Sequence, residues 1–135
     1  MVAPVVAPRQ NMTHQVNYFR ASIAYNTLNI GTSGMVPLGT LPAGAIITGL
    51  LVKVTTAFNA ATTNVLTVGT TATADAVLGA TDIDELEVDT TLTFAGFGYL
   101  ASVATPLFIK YAQTGTAASA GAATIILTYV PNNDR

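Results

Sequence analysis

Ala45-Ile46-Ile47-Thr48-Gly49-Leu50-Leu51-Val52-Lys53-Val54-Thr55-Thr56-Ala57-Phe58 is the longest stretch of strand character in the chain. Ile46, Thr48, Leu50, Val52 and Val54 alternate with Ile47, Gly49, Leu51, Lys53 and Thr55, a period of two that a β-strand requires. Both faces are largely apolar in the first half, as in a central strand. Lys53 and Thr55 then bring one face toward solvent. Leu41-Pro42-Ala43-Gly44 precedes the run as a turn signal, and a loop of small residues, 59–64, follows it.

The same reading extends outward. Residues 16–25 form a strand whose Phe19 and Ile23 share the core face, with Tyr18, Arg20 and Ser22 on the other. Residues 35–40 are a short extended piece broken by Pro37 and Gly39. Residues 65–69, 90–97, 106–112 and 123–130 are further strands, and Gly96 and Gly98 suggest a bulge in the second of these. Residues 114–122 form a Gly/Ala/Ser/Thr loop. Only residues 72–89 lack β character. One or two short helical turns are expected near 74–87, the first stopped by Gly79 and the second capped by Thr81. About seven strands separated by turn-rich loops predict an all-β fold, an antiparallel β-sandwich. A jelly roll is the favoured variant, since double sheets of that type serve in viral shells.

The sandwich is expected to occupy residues 15–135 as one domain. A chain of 135 residues buries about 68–70% of its unfolded surface, enough for a core. Residues 1–14 read as an extended N-terminal arm, because Pro4 and Pro8 fix φ and bias the residues before them toward extended backbone. The arm carries Val2, Val5, Val6, Arg9 and His14. It reads either as a loose terminus or as an arm that docks on a neighbour.

Charge is the most informative feature of the composition. Five Lys and Arg and seven Asp and Glu make 9% of the chain, against about 25% in an average soluble domain. A folded protein of 13.9 kDa exposes about 6,700 Å². Twelve charged side chains cannot cover that surface. Thr and Ala, at 22 residues each, must cover it, or other proteins must. Charge is depleted at interface cores, which favours a chain that works inside an assembly. The alternative is a rigid domain with a Thr-rich surface that stays soluble alone.

Several function classes lose support at this level. The net charge is −2 and the five basic residues are scattered, which argues against nucleic-acid binding. The most apolar run, 41–58, contains Pro42, Gly44, Gly49 and Lys53, and falls short of the ~20 apolar residues of a membrane helix. Residues 1–9 lack the basic start and unbroken apolar stretch of a signal peptide. There is no cysteine, and His14 is the single histidine, so His/Cys metal sites and thiolate catalysis are excluded by counting. None of Ser22, Ser33, Ser102 and Ser119 sits in a Gly-x-Ser-x-Gly elbow, and a triad would have to borrow an arm histidine. No phosphate loop or dinucleotide fingerprint occurs. The chain therefore reads as no enzyme and as needing no cofactor.

One charge cluster stands out. Asp82, Asp84, Glu85, Glu87 and Asp89 crowd into eight positions. Asp82-Ile83-Asp84 resembles the opening of a calcium loop, but the glycine and the distant glutamate of that loop are missing. A solvated acidic loop is the plain alternative. A third reading is an acidic patch that meets basic residues of a partner and sets register. The candidate interface residues are thus Val2, Val5, Val6, Arg9, His14, Asp82, Asp84, Glu85 and Glu87. Phe94, Phe97 and Tyr99 suggest a sugar-binding groove, against which core packing is the simpler reading.

Several motifs then occur in a suggestive order. Leu41-Pro42-Ala43-Gly44-Ala45-Ile46-Ile47-Thr48-Gly49 leads into the long strand. Thr56-Ala57-Phe58-Asn59, Leu66-Thr67-Val68-Gly69-Thr70, Ala74-Asp75-Ala76-Val77-Leu78 and Ala80-Thr81-Asp82-Ile83 follow. Thr105-Pro106-Leu107-Phe108-Ile109, a Gly/Ala loop and residues 123–130 close the chain. This order resembles small β-rich virion proteins of tailed bacteriophages, including capsid cement (decoration) proteins, over residues 35–130. The resemblance implies a jelly-roll-like domain on the outer surface of an icosahedral capsid, clamping neighbouring major capsid protein subunits, often as a dimer or trimer. It implies no catalytic residues. A tail or fibre component and a carbohydrate-binding β-sandwich module are the competing expectations.

Overall fold

The computed structural model describes residues 16–27, 35–88, 91–95 and 100–132. It contains seven strands: β1 (Asn17–Ala24), β2 (Val36–Leu41), β3 (Ile46–Thr56), β4 (Thr63–Gly69), β5 (Thr91–Ala95), β6 (Thr105–Thr114) and β7 (Ala122–Val130). They form a four-stranded sheet in the order β1-β7-β3-β5 and a three-stranded sheet in the order β2-β6-β4. Every strand pairing among the described residues is antiparallel. The antiparallel β-sandwich expected from the sequence is the observed architecture.

Odd-numbered strands make one sheet and even-numbered strands the other, so each connection crosses between sheets. The pairings reveal why. Asn17 faces Tyr129, Val36 faces Ile109, Gly49 faces Ala95, and Val68 bridges to Leu78. Each advance along the first half of the chain is matched, to within two residues, by a retreat along the second half. The chain is one long hairpin, with its tip between Val68 and Leu78, wound so that successive pairs land in alternate sheets.

The core lies between the two sheets. Ile47, Leu50, Val52, Val54, Leu66, Val68, Leu107, Ile109, Tyr111, Ile125 and Leu127 are all buried there. β3 is central, between β7 and β5, as its two apolar faces predicted. The alternation in β3 holds from Leu50 onward but not at its start. Ile47 is buried while Ile46 is exposed, and a register shift lies between Ile47 and Gly49. A bulge inserts one residue and reverses the faces on either side of it. Ile46 is therefore an outward residue.

Other local expectations hold. Ile23 is buried and Phe19 packs against the core, whereas Tyr18, Arg20 and Ser22 are exposed. The turn after β2 is closed by Ala45 N–H donating to Pro42 O at 3.1 Å, with Gly44 at φ 84°. Gly39 matters for a different reason. A Cβ there would lie 2.7 Å from the Phe19 ring, so glycine lets edge strand β2 come down onto β1.

Segment 70–88 differs from expectation in detail. It forms separate hydrogen-bonded turns and no helix. Ala76 N–H donates to Thr73 O, Asp82 N–H to Gly79 O, and Glu87 N–H to Asp84 O. Asp82 Oδ2 also accepts from Gly79 N–H at 2.7 Å, and Asp84 Oδ1 from Leu86 N–H at 2.9 Å. Such side-chain bonds to nearby backbone compete with helix propagation. Leu78, meanwhile, is drawn onto β4 by its bridge to Val68.

Candidate interaction surface

The outer face of the four-stranded sheet is built from the residues that alternate with the core. Tyr18, Arg20 and Ser22 of β1 lie opposite Thr128, Ile126 and Thr124 of β7. Those lie in turn opposite Gly49, Leu51 and Lys53 of β3. Hydroxyl pairs bind this face together: Ser22 with Thr124 at 3.1 Å, Thr48 to Thr128 at 3.3 Å, and Thr128 to the Gly49 carbonyl at 3.3 Å. Arg20 and Lys53 are the charges among these rows.

One end of this face is apolar. Ile46 pairs with Val130 on one side and bridges to Leu100 on the other, while Val16 continues β1 at the level of Val130. Val16, Val130, Ile46 and Leu100 thus form a row across four chain segments, with 58, 38, 43 and 57% of their surface exposed. Tyr18, at 66%, sits in the adjoining row. Single exposed apolar residues are ordinary, whereas a contiguous set is a candidate for contact with another surface. The row was not anticipated from the sequence. Its members are up to 114 positions apart between Val16 and Val130, and the β3 bulge turns Ile46 outward against simple alternation.

The acidic cluster divides. Asp82, Asp84 and Glu87 are exposed, with Asp82 and Asp84 engaged in the turn bonds above. Glu85 is not on the surface. Only 5% of it is exposed, and its Oε1 accepts a hydrogen bond from Leu66 N–H at 2.6 Å. Phe58 N–H donates to the Glu85 carbonyl at 2.9 Å. The reading of Glu85 as part of an acidic docking patch is therefore corrected: its carboxylate is a structural acceptor. Among the described residues no three His, Asp or Glu side chains come together as a metal cluster.

The role of Glu85 follows from its place. β4 is an edge strand of the smaller sheet, and segment 70–88 lies along its open side. Val77 and Leu78 N–H both donate to Val68 O, Val68 N–H donates to Leu78 O, and Glu85 takes the Leu66 N–H. The Glu85 side chain stands where a neighbouring strand would present a carbonyl. This closes an edge that would otherwise invite foreign strands.

Glu85 also bears on the electrostatics beneath segment 70–88. Burial pushes its carboxyl above the ordinary range, and the negative charge of Asp84 adds to this. The Leu66 N–H and Glu85's own N–H pull the other way. Burial likewise raises the Tyr111 hydroxyl, with the Glu85 charge as the lesser cause. Tyr111 donates to Asn64 Oδ1 at 2.6 Å, and its ring packs on Phe58 with centroids 4.6 Å apart. Among the described residues no buried side-chain polar atom lacks a partner. The cluster is a satisfied structural network.

The other candidates are Val2, Val5, Val6, Arg9 and His14 of the arm, which lie outside the described residues, as do Phe97 and Tyr99 of the suggested sugar groove. Among the described serines, Ser22 is bonded to Thr124 and Ser119 to Asn59.

No family model matches the chain, and no curated protein matches its sequence. Solved structures do match its fold. A chain from the cyanophage Pam1 capsid asymmetric unit superposes with a TM-score of 0.67 at 24% identity, over 97% of this chain and 92% of that chain. A chain from the acid-stable capsid of Helicobacter pylori bacteriophage KHP30 superposes with a TM-score of 0.61 at 18% identity, over 87% of this chain and 89% of that one. At these identities the likeness is one of fold.

Proposed function

We propose that this chain is a virion structural protein that decorates and stabilises a bacteriophage capsid by bridging major capsid protein subunits at the outer surface. The observation that carries this reading is the fold shared, over nearly the full length of both chains, with a component of the Pam1 capsid structure. The likeness to a chain in the KHP30 capsid supports it. The fold we infer is a jelly roll. The alternation of strands between sheets supports it, with β1·β7, β2·β6, β3·β5 and the Val68–Leu78 bridge as its four nested pairs. Segment 70–88 takes the place of an eighth strand.

The physical demands agree. A seam protein needs contact area on several sides, and a standard interface takes about 800 Å² from each partner. The Thr- and Ser-lined sheet face and the apolar row from Val16 to Leu100 supply area with little charge to desolvate. Asp82, Asp84 and Glu87 supply a rim that steers and sets register. Val2, Val5, Val6, Arg9 and His14 supply arm contacts to a neighbour. The role is non-catalytic.

Separation of heads from tails in disrupted virions tests this reading. The chain is expected in the head fraction, in constant proportion to the major capsid protein. Recovery with tails would replace the reading by a tail or fibre component. Absence from both, with a measured sugar affinity, would replace it by a carbohydrate-binding module.

A further inference from the structure

Residues 79–88 lie almost wholly on the surface. Gly79 and Ile83 are half-buried, Glu85 is buried, and the rest of the stretch is exposed. Its turns are closed by its own atoms: Asp82 serves Gly79, and Asp84 serves Leu86 and Glu87. Among the described residues, two hydrogen bonds join the stretch to the rest of the sandwich, and both end on Glu85. Leu66 N–H donates to its Oε1 at 2.6 Å, and Phe58 N–H to its carbonyl at 2.9 Å. Ile83 adds a partly buried contact with the core.

The residues just before are fixed in a different way. Val77 and Leu78 are buried, their N–H groups donate to Val68 O, and Leu78 O accepts from Val68 N–H. The cover over β4 thus has two anchors. One is apolar and made of paired backbone; the other is a single titratable residue. A stretch with few buried apolar contacts opens at lower cost than the core beneath it.

We propose that Glu85 is a proton-controlled latch: residues 79–88 stay closed on β4 while its carboxyl holds a proton, and part from Leu66 and Phe58 more often once the proton leaves, with Val77 and Leu78 remaining in place as the hinge. The surroundings of Glu85 give the direction. A carboxylate that closes into this place gives up its water, and desolvation disfavours the charged form. β6 brings Tyr111, whose hydroxyl is engaged with Asn64. β4 brings the neutral Leu66 and Asn64, and the chain before β4 brings the neutral Phe58. From its own segment, Asp84 adds a like charge, while Asp82 and Glu87 are exposed. Lys110 alternates with the buried Tyr111 and so stands on the other face of β6. None of the groups that face Glu85 from these elements is a cation.

Burial holds the carboxyl above its ordinary range in the closed form, and release returns it to water. The opening equilibrium is therefore flat below the ordinary carboxyl value. It rises by up to about tenfold per pH unit between that value and the raised one, and is flat again above it. Opening bares the Leu66 N–H on the edge of β4, where a side chain otherwise stands in for a neighbouring strand. The part of the edge at Val68 stays covered. The inference concerns the isolated chain and does not rest on the capsid reading, so its failure would leave head binding untouched.

Amide hydrogen exchange of the full chain, followed residue by residue by NMR and corrected for the intrinsic pH dependence of exchange, tests it. Opening at Leu66 and Phe58 is expected to rise with pH through the window, while opening at Val68 stays constant. Glu85→Gln keeps an acceptor oxygen and is expected to make Leu66 and Phe58 as indifferent to pH as Val68. Asp84→Asn keeps the oxygen that serves Leu86 and removes the like charge, so the rise is expected to persist and to move to lower pH. Opening at Leu66 that does not change with pH would overturn the latch, as would a Glu85→Gln chain with the pH dependence of the unaltered one. Opening at Val68 that rises in step with Leu66 would overturn the hinge and make the event a loss of the whole segment. Should Glu85→Gln fail to fold, the comparison of Leu66 with Val68 in the unaltered chain decides.

Discussion

Leu50→Ala is expected to lower the stability of the fold by about 2–5 kcal/mol, the range for deleting a buried leucine side chain. Leu50 is 1% exposed and lies at the middle of β3, directly opposite Leu127 of β7, which is fully buried. β3 is held on both sides, by β7 and β5, so the backbone has little freedom to collapse into the space vacated. The loss should therefore fall in the upper part of the range. Urea unfolding checks it. The midpoint should drop strongly with the slope unchanged, because the surface exposed on unfolding is nearly the same. Thr48→Ala, on the exposed face of the same strand, serves as the control and should fall within about 0.5 kcal/mol of the unaltered chain. Equal losses in the two variants would contradict the placement of the core.

Glu85 separates charge from hydrogen bonding. Glu85→Ala removes the acceptor of the Leu66 N–H, and a buried donor left without a partner costs about 1–3 kcal/mol. Glu85→Gln keeps an oxygen in that place and removes the charge. Because burial raises the Glu85 carboxyl in the folded state, the folded chain holds this proton more tightly than the unfolded chain. The stability so gained is fully present below the unfolded value. It is lost as pH rises through the raised folded value. The unaltered chain should thus weaken across that window. Glu85→Gln should lack this component of the slope and, above the window, match or exceed the unaltered chain. Stability curves against pH for the three proteins check it. A Glu85→Gln chain as weak at neutral pH as Glu85→Ala would show that the charge itself is required.

The two faces of β1 and the turn at Leu41–Gly44 were legible in the sequence because they depend on neighbours within a few residues. Phe19 and Ile23 alternate with Tyr18 and Ser22, and no bulge interrupts them. β3 was legible from Leu50 onward and misread at Ile46, where the bulge before Gly49 shifts the phase. Bulges leave little trace in a period-two pattern. Glu85 was misread for another reason. It sits in a run of carboxylates that are solvated on both sides, and only the distant Leu66 N–H makes it an interior residue. The helical turns expected near 74–87 gave way to isolated turns, because Asp82 and Asp84 bond their own backbone. The apolar row from Val16 to Leu100 depends on pairings between distant segments. Local patterning cannot show which strands become neighbours once a long hairpin is wound up.

Low charge, a Thr-lined outer sheet and an apolar row fit a protein that lies against others. The capsid decoration we propose would join these features to the shared fold. Co-sedimentation of the purified chain with expanded, undecorated phage heads tests that claim most directly. The account predicts saturable binding at a fixed ratio to the major capsid protein, with heads that withstand heating better once decorated. A chain that stays in the supernatant at every concentration, and leaves the heat resistance of the heads unchanged, would contradict it.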